Sequence, residues 1–337
     1  MNIIIPMAGR GTRLRPHTLT TPKPLIPIAG KPIVHRLVED IAKVCDQEIE
    51  NIGFIIGRDF GTEVEENLKK IAKSVGGKGH IFYQDQKLGT AHAILCAEEV
   101  LEGNTIIAFA DTLFKADFKL NPDKDGIIWV QQVDDPSAFG VVKYDEDNHI
   151  TDFVEKPQEF VSDLAIIGIY YFKDGEYLKK ELQYLIDNNI LDKGEYQITD
   201  ALENMKKQGA KFVPGQVEEW LDCGNKDVTV STNQRYLDFI KDQELIAKTS
   251  KNINSVIIPP VFIGENVVVE NSVVGPHVSI GDNSKITNSI IKTSIIQESS
   301  TINNANFKNS MLGNFVTLEG KQEDLSIGDY NVLKRGD

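Results

Sequence analysis

Beyond residue 253, apolar residues return about every six positions, and this period constrains the fold of the 337-residue chain more than any other feature. The run contains Val261-Phe262-Ile263-Gly264-Glu265-Asn266, Val273-Val274-Gly275-Pro276, Ser279-Ile280-Gly281-Asp282 and Met311-Leu312-Gly313-Asn314. A short strand closed by a corner residue, repeated at a fixed interval, stacks on the coil before it. The expected product is a left-handed parallel β-helix over residues 253–337. Between Lys285 and Lys308 the apolar period continues without glycine. A small antiparallel β domain is the competing architecture, but it would not need so regular a spacing.

The first part of the chain has a different rhythm. Residues 2–6, 52–56, 81–84 and 105–110 are short apolar runs, and residues 33–45, 63–74 and 90–101 carry apolar residues at helical spacing. Alternation of strand and helix predicts an α/β fold of Rossmann-like type, a mixed, mainly parallel sheet flanked by helices. Ligands then belong at the carboxyl ends of the strands. Strands follow at 127–133, 140–144, 150–155 and 165–172, then helices at 177–188 and 198–208, and a helix at 228–247 leads out. The expected division is a catalytic domain over 1–240, a connecting helix or linker over 241–252, and the β-helix over 253–337.

A formal net charge of -14 and a pI near 5.0 argue against a broad nucleic-acid or anionic-membrane surface, which would need clustered cations. A local phosphate pocket is still compatible with that charge, built from a few placed lysines, arginines and backbone amides. Cys45, Cys96 and Cys223 share no metal-ligand spacing, and an odd number of scattered thiols fits a reducing compartment. No apolar run approaches the ~18 residues of a spanning helix, and the first residues lack the pattern of a signal peptide. A cytoplasmic location is the expectation.

The loop after the first strand reads Met7-Ala8-Gly9-Arg10-Gly11-Thr12-Arg13-Leu14-Arg15-Pro16. Its glycines let the backbone approach a ligand and aim amides at phosphate oxygens. No Gly-Lys-Ser/Thr closes it, so it is not a Walker A loop, and the third glycine of a dinucleotide fingerprint is missing. Further on comes Thr21-Pro22-Lys23-Pro24-Leu25-Ile26-Pro27-Ile28-Ala29-Gly30-Lys31-Pro32. The flanking prolines are expected to hold the Lys23 backbone extended. Lys23 and Arg13 near a glycine loop make a compact cationic site suited to a triphosphate.

Together these segments resemble the signature of the sugar-nucleotide pyrophosphorylases, or nucleotidylyltransferases, and most of all the glucose-1-phosphate thymidylyltransferases. The resemblance extends along essentially the whole chain. Gln84 with Lys87-Leu88-Gly89-Thr90-Ala91-His92-Ala93 is similar to the family's base-recognition segment, and Phe109-Ala110-Asp111 to the strand end that binds metal. Phe139-Gly140-Val141-Val142, Val154-Glu155-Lys156-Pro157 and Ile167-Gly168-Ile169-Tyr170 resemble the sugar-phosphate side. Glu195-Tyr196-Gln197-Ile198-Thr199-Asp200 and Trp220-Leu221-Asp222-Cys223-Gly224 complete the set.

The resemblance implies Arg13 and Lys23 as catalytic residues, and Ala8, Gly9, Gly11, Thr12, Arg13, Gln84, Gly89 and Thr90 around the nucleotide. Gly140, Glu155, Lys156 and Tyr170 would hold the sugar phosphate, and Asp111 and Asp222 a Mg²⁺ ion. The implied reaction joins a nucleoside triphosphate to a sugar 1-phosphate and releases pyrophosphate. Glucose 1-phosphate with dTTP or UTP is the leading expectation, with mannose-1-phosphate guanylyltransferase as the alternative. Other classes are a bifunctional acyltransferase and a non-catalytic regulatory subunit. Each residue also has a plainer reading. Asp111 and Asp222 could be turn formers, His92 a packing residue, Cys223 a buried small residue and His277 a surface histidine. Homo-oligomers through the tail are expected.

Overall fold

The computed structural model describes residues 1–116, 120–321, 326–328 and 330; the end of the expected β-helix, 331–337, lies outside them. The chain divides into two compact units, residues 1–232 and 233–337.

In the first unit, strand β1 (Asn2–Pro6) is buried along its whole length. Such a strand must have neighbours on both edges and cover on both faces. It pairs in parallel with β2 (Asn51–Ile56), which pairs with β3 (Lys78–Tyr83), and on its other edge with β4 (Thr105–Ala108). A two-stranded antiparallel ribbon follows, β5 (Thr112–Lys115) against a later segment. The sheet then continues through β6 (Gly126–Gln132), β7 (Gly140–Tyr144), β8 (Ile150–Glu155), β9 (Leu164–Phe172) and β10 (Phe212–Gln216). Strand β9 runs antiparallel to β4, β6 and β7, so the mainly parallel half passes into a mixed half. Among the described residues this sheet has nine strands, with β8-β7-β9-β4-β1-β2-β3 as its path and β6 and β10 joined through β9.

Helices cover the sheet because their apolar stripes need burial. Helix α1 (Ile33–Val44) buries Ile33, Leu37, Val38 and Ile41, and α2 (Thr62–Ser74) buries Leu68, Ile71 and Ala72. Helix α3 spans only Thr90–Leu95. The expected run to residue 101 breaks after Cys96 and resumes as a 3-10 turn, Glu98–Val100, that buries Val100. Helices α4 (Gly175–Asp187) and α5 (Ile198–Lys207) pack Leu178, Leu182, Leu202 and Met205 into one core with Phe172 and Phe212.

Helix α6 covers Lys226–Phe239, and the division between units falls inside it. The sequence predicted a helix reaching residue 247. Within the second unit the chain instead becomes extended, with Ile263 N–H donating to the Leu245 carbonyl and Ala247 N–H to the Ile263 carbonyl. Pairing with the first coil supplies those residues with hydrogen bonds that a longer helix would have had to supply itself.

The second unit is a parallel β-helix. Lys251 pairs with Val268, and the register continues through Lys285, Thr301 and Thr317, coil above coil. Successive coils are 17 residues apart at the start and 16 at the end, as the serine bridges show. Val269, Val274, Ile280, Ile286, Ile291 and Ile302 fill the interior, each at most 1% exposed. The corners without glycine are held by Asn288, Thr293, Ser299, Asn304 and Asn309 at positive φ. Asparagine tolerates that conformation because its short amide bonds locally, so the repeat persists where glycine is lost. Ladders support the corners: the Ser255 hydroxyl accepts from Ser272 N–H, Ser272 from Ser289 N–H, and Ser289 from Ala305 N–H. Among the described residues no helix is long and apolar enough to cross a membrane.

Candidate active site

The loop after β1 leaves the sheet at its carboxyl edge and is pinned by Leu14, which is wholly buried. The pin sits in a single 3-10 turn, Thr12–Leu14, closed by Leu14 N–H donating to the Gly11 carbonyl. Thr18 Oγ1 donates to the same carbonyl at 2.7 Å. Gly11 has φ +75°, and a Cβ there would lie 2.6 Å from Lys23 Cβ. Glycine is therefore required for the loop to cross the Lys23 stem. Arg13, on the exposed side of the turn, has no ion-pair partner among the described residues.

Lys23 occupies the first position of one 3-10 turn, Lys23–Leu25, and not the extended stretch expected from its prolines. Pro22 is extended (ψ 141°), and Pro24, lacking an N–H, loses nothing at the start of the turn. Lys23 is 6% exposed overall, and its Nζ donates to Asp111 Oδ2 at 3.1 Å. Burying the stem while the ammonium faces a carboxylate limits where that charge can be.

Asp111 follows β4, and Asp222 ends the segment Glu219–Asp222 that pairs antiparallel with β5. Cys223 N–H donates to the Asp111 carbonyl, and Thr232 Oγ1 donates to the Asp222 carbonyl. Burial raises the Asp222 pKa above the ordinary carboxylate value; Lys23 pulls it down, Asp111 pushes it up and Arg13 pulls it down. Those couplings place Arg13, Lys23, Asp111 and Asp222 in one electrostatic neighbourhood. Cys223 is fully buried, and burial pushes its thiol up to about 12, so it is a packing residue and no nucleophile.

A cleft of about 380 Å³ is lined by Gly9, Arg10, Gly11, Thr12, Arg13, Lys23, Lys87 and Asp111 among others; Asp222 is not among its lining residues, though Gly224 is. A second, of about 210 Å³, shares Met7, Gly9, Lys87 and Phe109 with it and adds Ala8, Gln84, Gly89, Thr90 and Glu195. The sequence motifs contain all of these residues but assign no role to Arg10 or Lys87. Lys87 lines both clefts, and its position between Gln84 and Gly89 was the available signal.

Gly89 sits at φ +107°, and a Cβ there would lie 2.4 Å from the Tyr196 carbonyl oxygen. Segment 195–198 locks this turn: Tyr196 N–H donates to the Leu88 carbonyl and Ala91 N–H to the Tyr196 carbonyl. Thr90 Oγ1 donates to Gln197 Oε1 and accepts from Ile198 N–H, so its hydroxyl is committed to the fold.

The expected sugar-side residues group separately. Gly140 faces Glu155 across the β7–β8 pair, and Lys156, at φ 42°, puts Nζ 3.3 Å from Glu155 Oε1. Lys193 Nζ donates to the Lys156 carbonyl at 2.9 Å, and Thr199 Oγ1 to Glu155 Oε2 at 3.5 Å. None of Gly140, Glu155, Lys156 and Tyr170 lines either cleft. Tyr170 is 5% exposed, edge-on to Phe109 and stacked with Phe172. Burial, then the charges of Glu155 and Asp111, raise its pKa. Phe139 packs edge-on against Trp220, whose Nε1 donates to Thr112 Oγ1, tying the two groups together. Asp200 was not singled out on its own. Burial, then Asp192 and Glu155, raise its pKa, and its Oδ2 has no hydrogen-bond partner.

Chemically, the first cleft can hold a polyanion beside the Asp111 carboxylate. No group of three or more metal-ligating side chains occurs among the described residues. Asp111 and Asp222 still fit a hard divalent ion of the magnesium type, which takes one or two carboxylates and fills its shell with water and substrate phosphate oxygens. Burial first, and the Asp111 charge after it, raise the Asp222 pKa, and such an ion would offset both.

Residues 2–238 match the family described as Nucleotidyl transferase. The chain is 31% identical over 272 residues to the bifunctional protein GlmU of Methanococcus maripaludis, a match covering 80% of this chain and 60% of that protein. It is 31% identical over 255 residues to the mannose-1-phosphate guanylyltransferase catalytic subunit beta of Drosophila melanogaster, covering 72% and 64%. Among solved structures it resembles a UDP-glucose pyrophosphorylase complexed with UDP-glucose, with TM-score 0.57 and 25% identity, over 71% of this chain and 98% of that one. The chain thus spans less than two thirds of the length of the curated relatives it matches.

Proposed function

The chain belongs to the nucleotidyl transferase family, and from that premise we propose that it joins a nucleoside triphosphate to a sugar 1-phosphate, releasing pyrophosphate. The observation that carries this reading is the convergence of Arg13, Lys23 and Asp111 on one cleft at the carboxyl edge of the sheet. Glucose 1-phosphate with dTTP or UTP is the proposed substrate pair. Mannose 1-phosphate with GTP is the second reading, favoured by the guanylyltransferase relative.

In the proposed reaction an oxygen of the sugar phosphate attacks the α-phosphorus. A new P–O bond forms as the bond from that phosphorus to the bridging oxygen breaks, and pyrophosphate carries the electron pair away. The attacking phosphate is already anionic, so no strong general base is needed. The task is to position two anions that repel each other and to stabilise charge in the transition state. Arg13 and the amides of residues 9–12 would face the leaving pyrophosphate, and Lys23 the α-phosphate. Gln84 and Gly89 would take the base beside Ala8 and Thr90. Lys156 would hold the incoming phosphate, Glu155 and the Gly140 backbone the sugar hydroxyls, with Tyr170 supporting them from the core. Asp111 and Asp222 would hold Mg²⁺, which supplies charge neutralisation to the phosphates when bound.

The proposal includes assembly of copies through the β-helix, supported by the outward Val256 (57% exposed) and Ile290 (44% exposed). Light scattering at micromolar concentration that finds monomer alone would remove it. The reaction is tested by pyrophosphate release with Mg²⁺ across a grid of nucleoside triphosphates and hexose 1-phosphates. Release that needs both substrates supports the reading. Silence across the grid from folded protein that binds no triphosphate sinks it and favours a regulatory subunit; acetyl-CoA consumption would favour an acyltransferase.

A further inference from the structure

The second cleft contains a side-chain amide whose orientation can be derived. Gln84 Nε2 lies 3.2 Å from the Gly89 carbonyl oxygen and 3.2 Å from His92 Nδ1. A carbonyl oxygen only accepts, so the amide atom facing it must be the nitrogen. The same nitrogen faces His92 Nδ1, which must then accept as well, leaving the imidazole neutral with its proton on Nε2. Both amide hydrogens are thereby used. Gln84 Oε1 has no partner among the described residues, and Gln84 lines the cleft of about 210 Å³.

We propose that His92 is a positioning residue for base selection: by taking the second N–H of Gln84, it joins the Gly89 carbonyl in holding that amide so that it offers the cleft an acceptor. This rests on the triphosphate reading above and deepens it. An acceptor held opposite a ring nitrogen receives a ring N–H, as in uracil, thymine and guanine. It repels the ring lone pair of cytosine or adenine. Without the His92 acceptor, only the Gly89 carbonyl holds the amide in this orientation, and the acceptor it offers the cleft is held by one bond in place of two. Burial lowers the His92 pKa, which favours the neutral, accepting ring. Uracil and cytosine have nearly the same shape and opposite polarity at this nitrogen, so the UTP-to-CTP ratio isolates the effect.

The test compares kcat/KM for UTP and CTP, with equilibrium titration of both nucleotides, in the wild type and four variants. The wild type should favour UTP by about 100-fold or more, below the roughly 10⁴-fold limit for a site that rejects the lack of an N–H completely. His92→Leu should cut that ratio by about tenfold or more, mainly through KM. His92→Asn, whose Oδ1 can stand where Nδ1 stood, should keep it. The double variant Gln84→Met with His92→Leu should discriminate no worse than Gln84→Met alone, because His92 acts only through Gln84. A ratio unchanged in His92→Leu, or a wild type that prefers CTP, overturns the proposal. If His92→Leu does not fold, loss of the ratio in His92→Asn overturns it equally. Failure of the wild type to bind any triphosphate instead overturns the functional reading itself.

Discussion

Lys23 and Asp111 stand 88 residues apart in the sequence and 3.1 Å apart in space, Nζ against Oδ2. The lysine side chain is 7% exposed and the aspartate side chain 52%, so the pair joins a buried cation to an open cleft. A cation already facing a carboxylate is oriented before any substrate arrives, and this preorganisation is what electrostatic catalysis requires. Lys23→Met should therefore lower turnover by about 100-fold or more, with the fold retained by circular dichroism. Turnover within a few-fold of wild type would remove Lys23 from the chemistry.

Arg13 lies on the exposed side of its turn, so its loss should affect activity and not folding. Arg13→Ala is expected to reduce turnover by roughly two orders of magnitude. Its stability should stay within about 0.5 kcal/mol of wild type, as for other surface substitutions. Paired steady-state kinetics and denaturant titration check both halves of the prediction.

Asp111 and Asp222 are proposed to share one divalent ion. Chelation should abolish pyrophosphate release, and Mg²⁺ should restore it. Asp111→Asn and Asp222→Asn should each raise the Mg²⁺ concentration at half-maximal rate by about tenfold or more, within the range for weakening a metal site. An unchanged Mg²⁺ dependence in both variants would separate these carboxylates from the metal.

Glu39 anchors the segment that follows Lys23. Burial alone would raise its pKa, but hydrogen bonds from His35 and Lys31 and the Lys31 charge hold it at about 2, against an ordinary 4.5. A depressed carboxylate pKa contributes stability that is present above the unfolded value and lost as pH falls through the folded one. The melting temperature of wild type should exceed that of Glu39→Gln near neutral pH. The gap should close between about pH 4.5 and about pH 2. A gap independent of pH would mean the carboxylate charge is not what matters.

Ile286 is wholly buried in the β-helix, with coils above and below it. Ile286→Ala should cost about 2–5 kcal/mol of that unit's stability, the range for emptying a packed aliphatic site. Because each coil contacts only its neighbours, the loss should appear as earlier unfolding of the second unit. Differential scanning calorimetry that shows no shift in that transition would refute it.

Much was legible in the sequence because the signals were local. Burial on both faces makes β1 a continuous apolar run, and the hydrophobic period of α1 marks its inner stripe, so both were placed within a residue or two. The coil repeat was legible for the same reason, since every coil must present an apolar residue to the same interior. Loss of glycine between Lys285 and Lys308 hid nothing essential, because asparagine can hold the same corners.

What the sequence could not decide were matters settled by partners far along the chain. Residues 240–247 look helical in isolation, but the helix closes in a turn at 240–243 and pairing with residue 263 makes 245–247 extended. Lys23 looks confined to extended backbone, and the passage of Gly11 over its stem accompanies a turn. Tyr170 reads as a sugar-site residue, and the sheet buries its ring between Phe109 and Phe172. The sequence by itself determined which elements form and which residue types surround the loop after β1, since propensity, period and turn chemistry act over a few residues. Only the tertiary structure decided that Asp111 faces Lys23 and that Gln84 turns its oxygen outward. Hydrogen bonds and ion pairs depend on ångström distances between segments, and no local pattern encodes those.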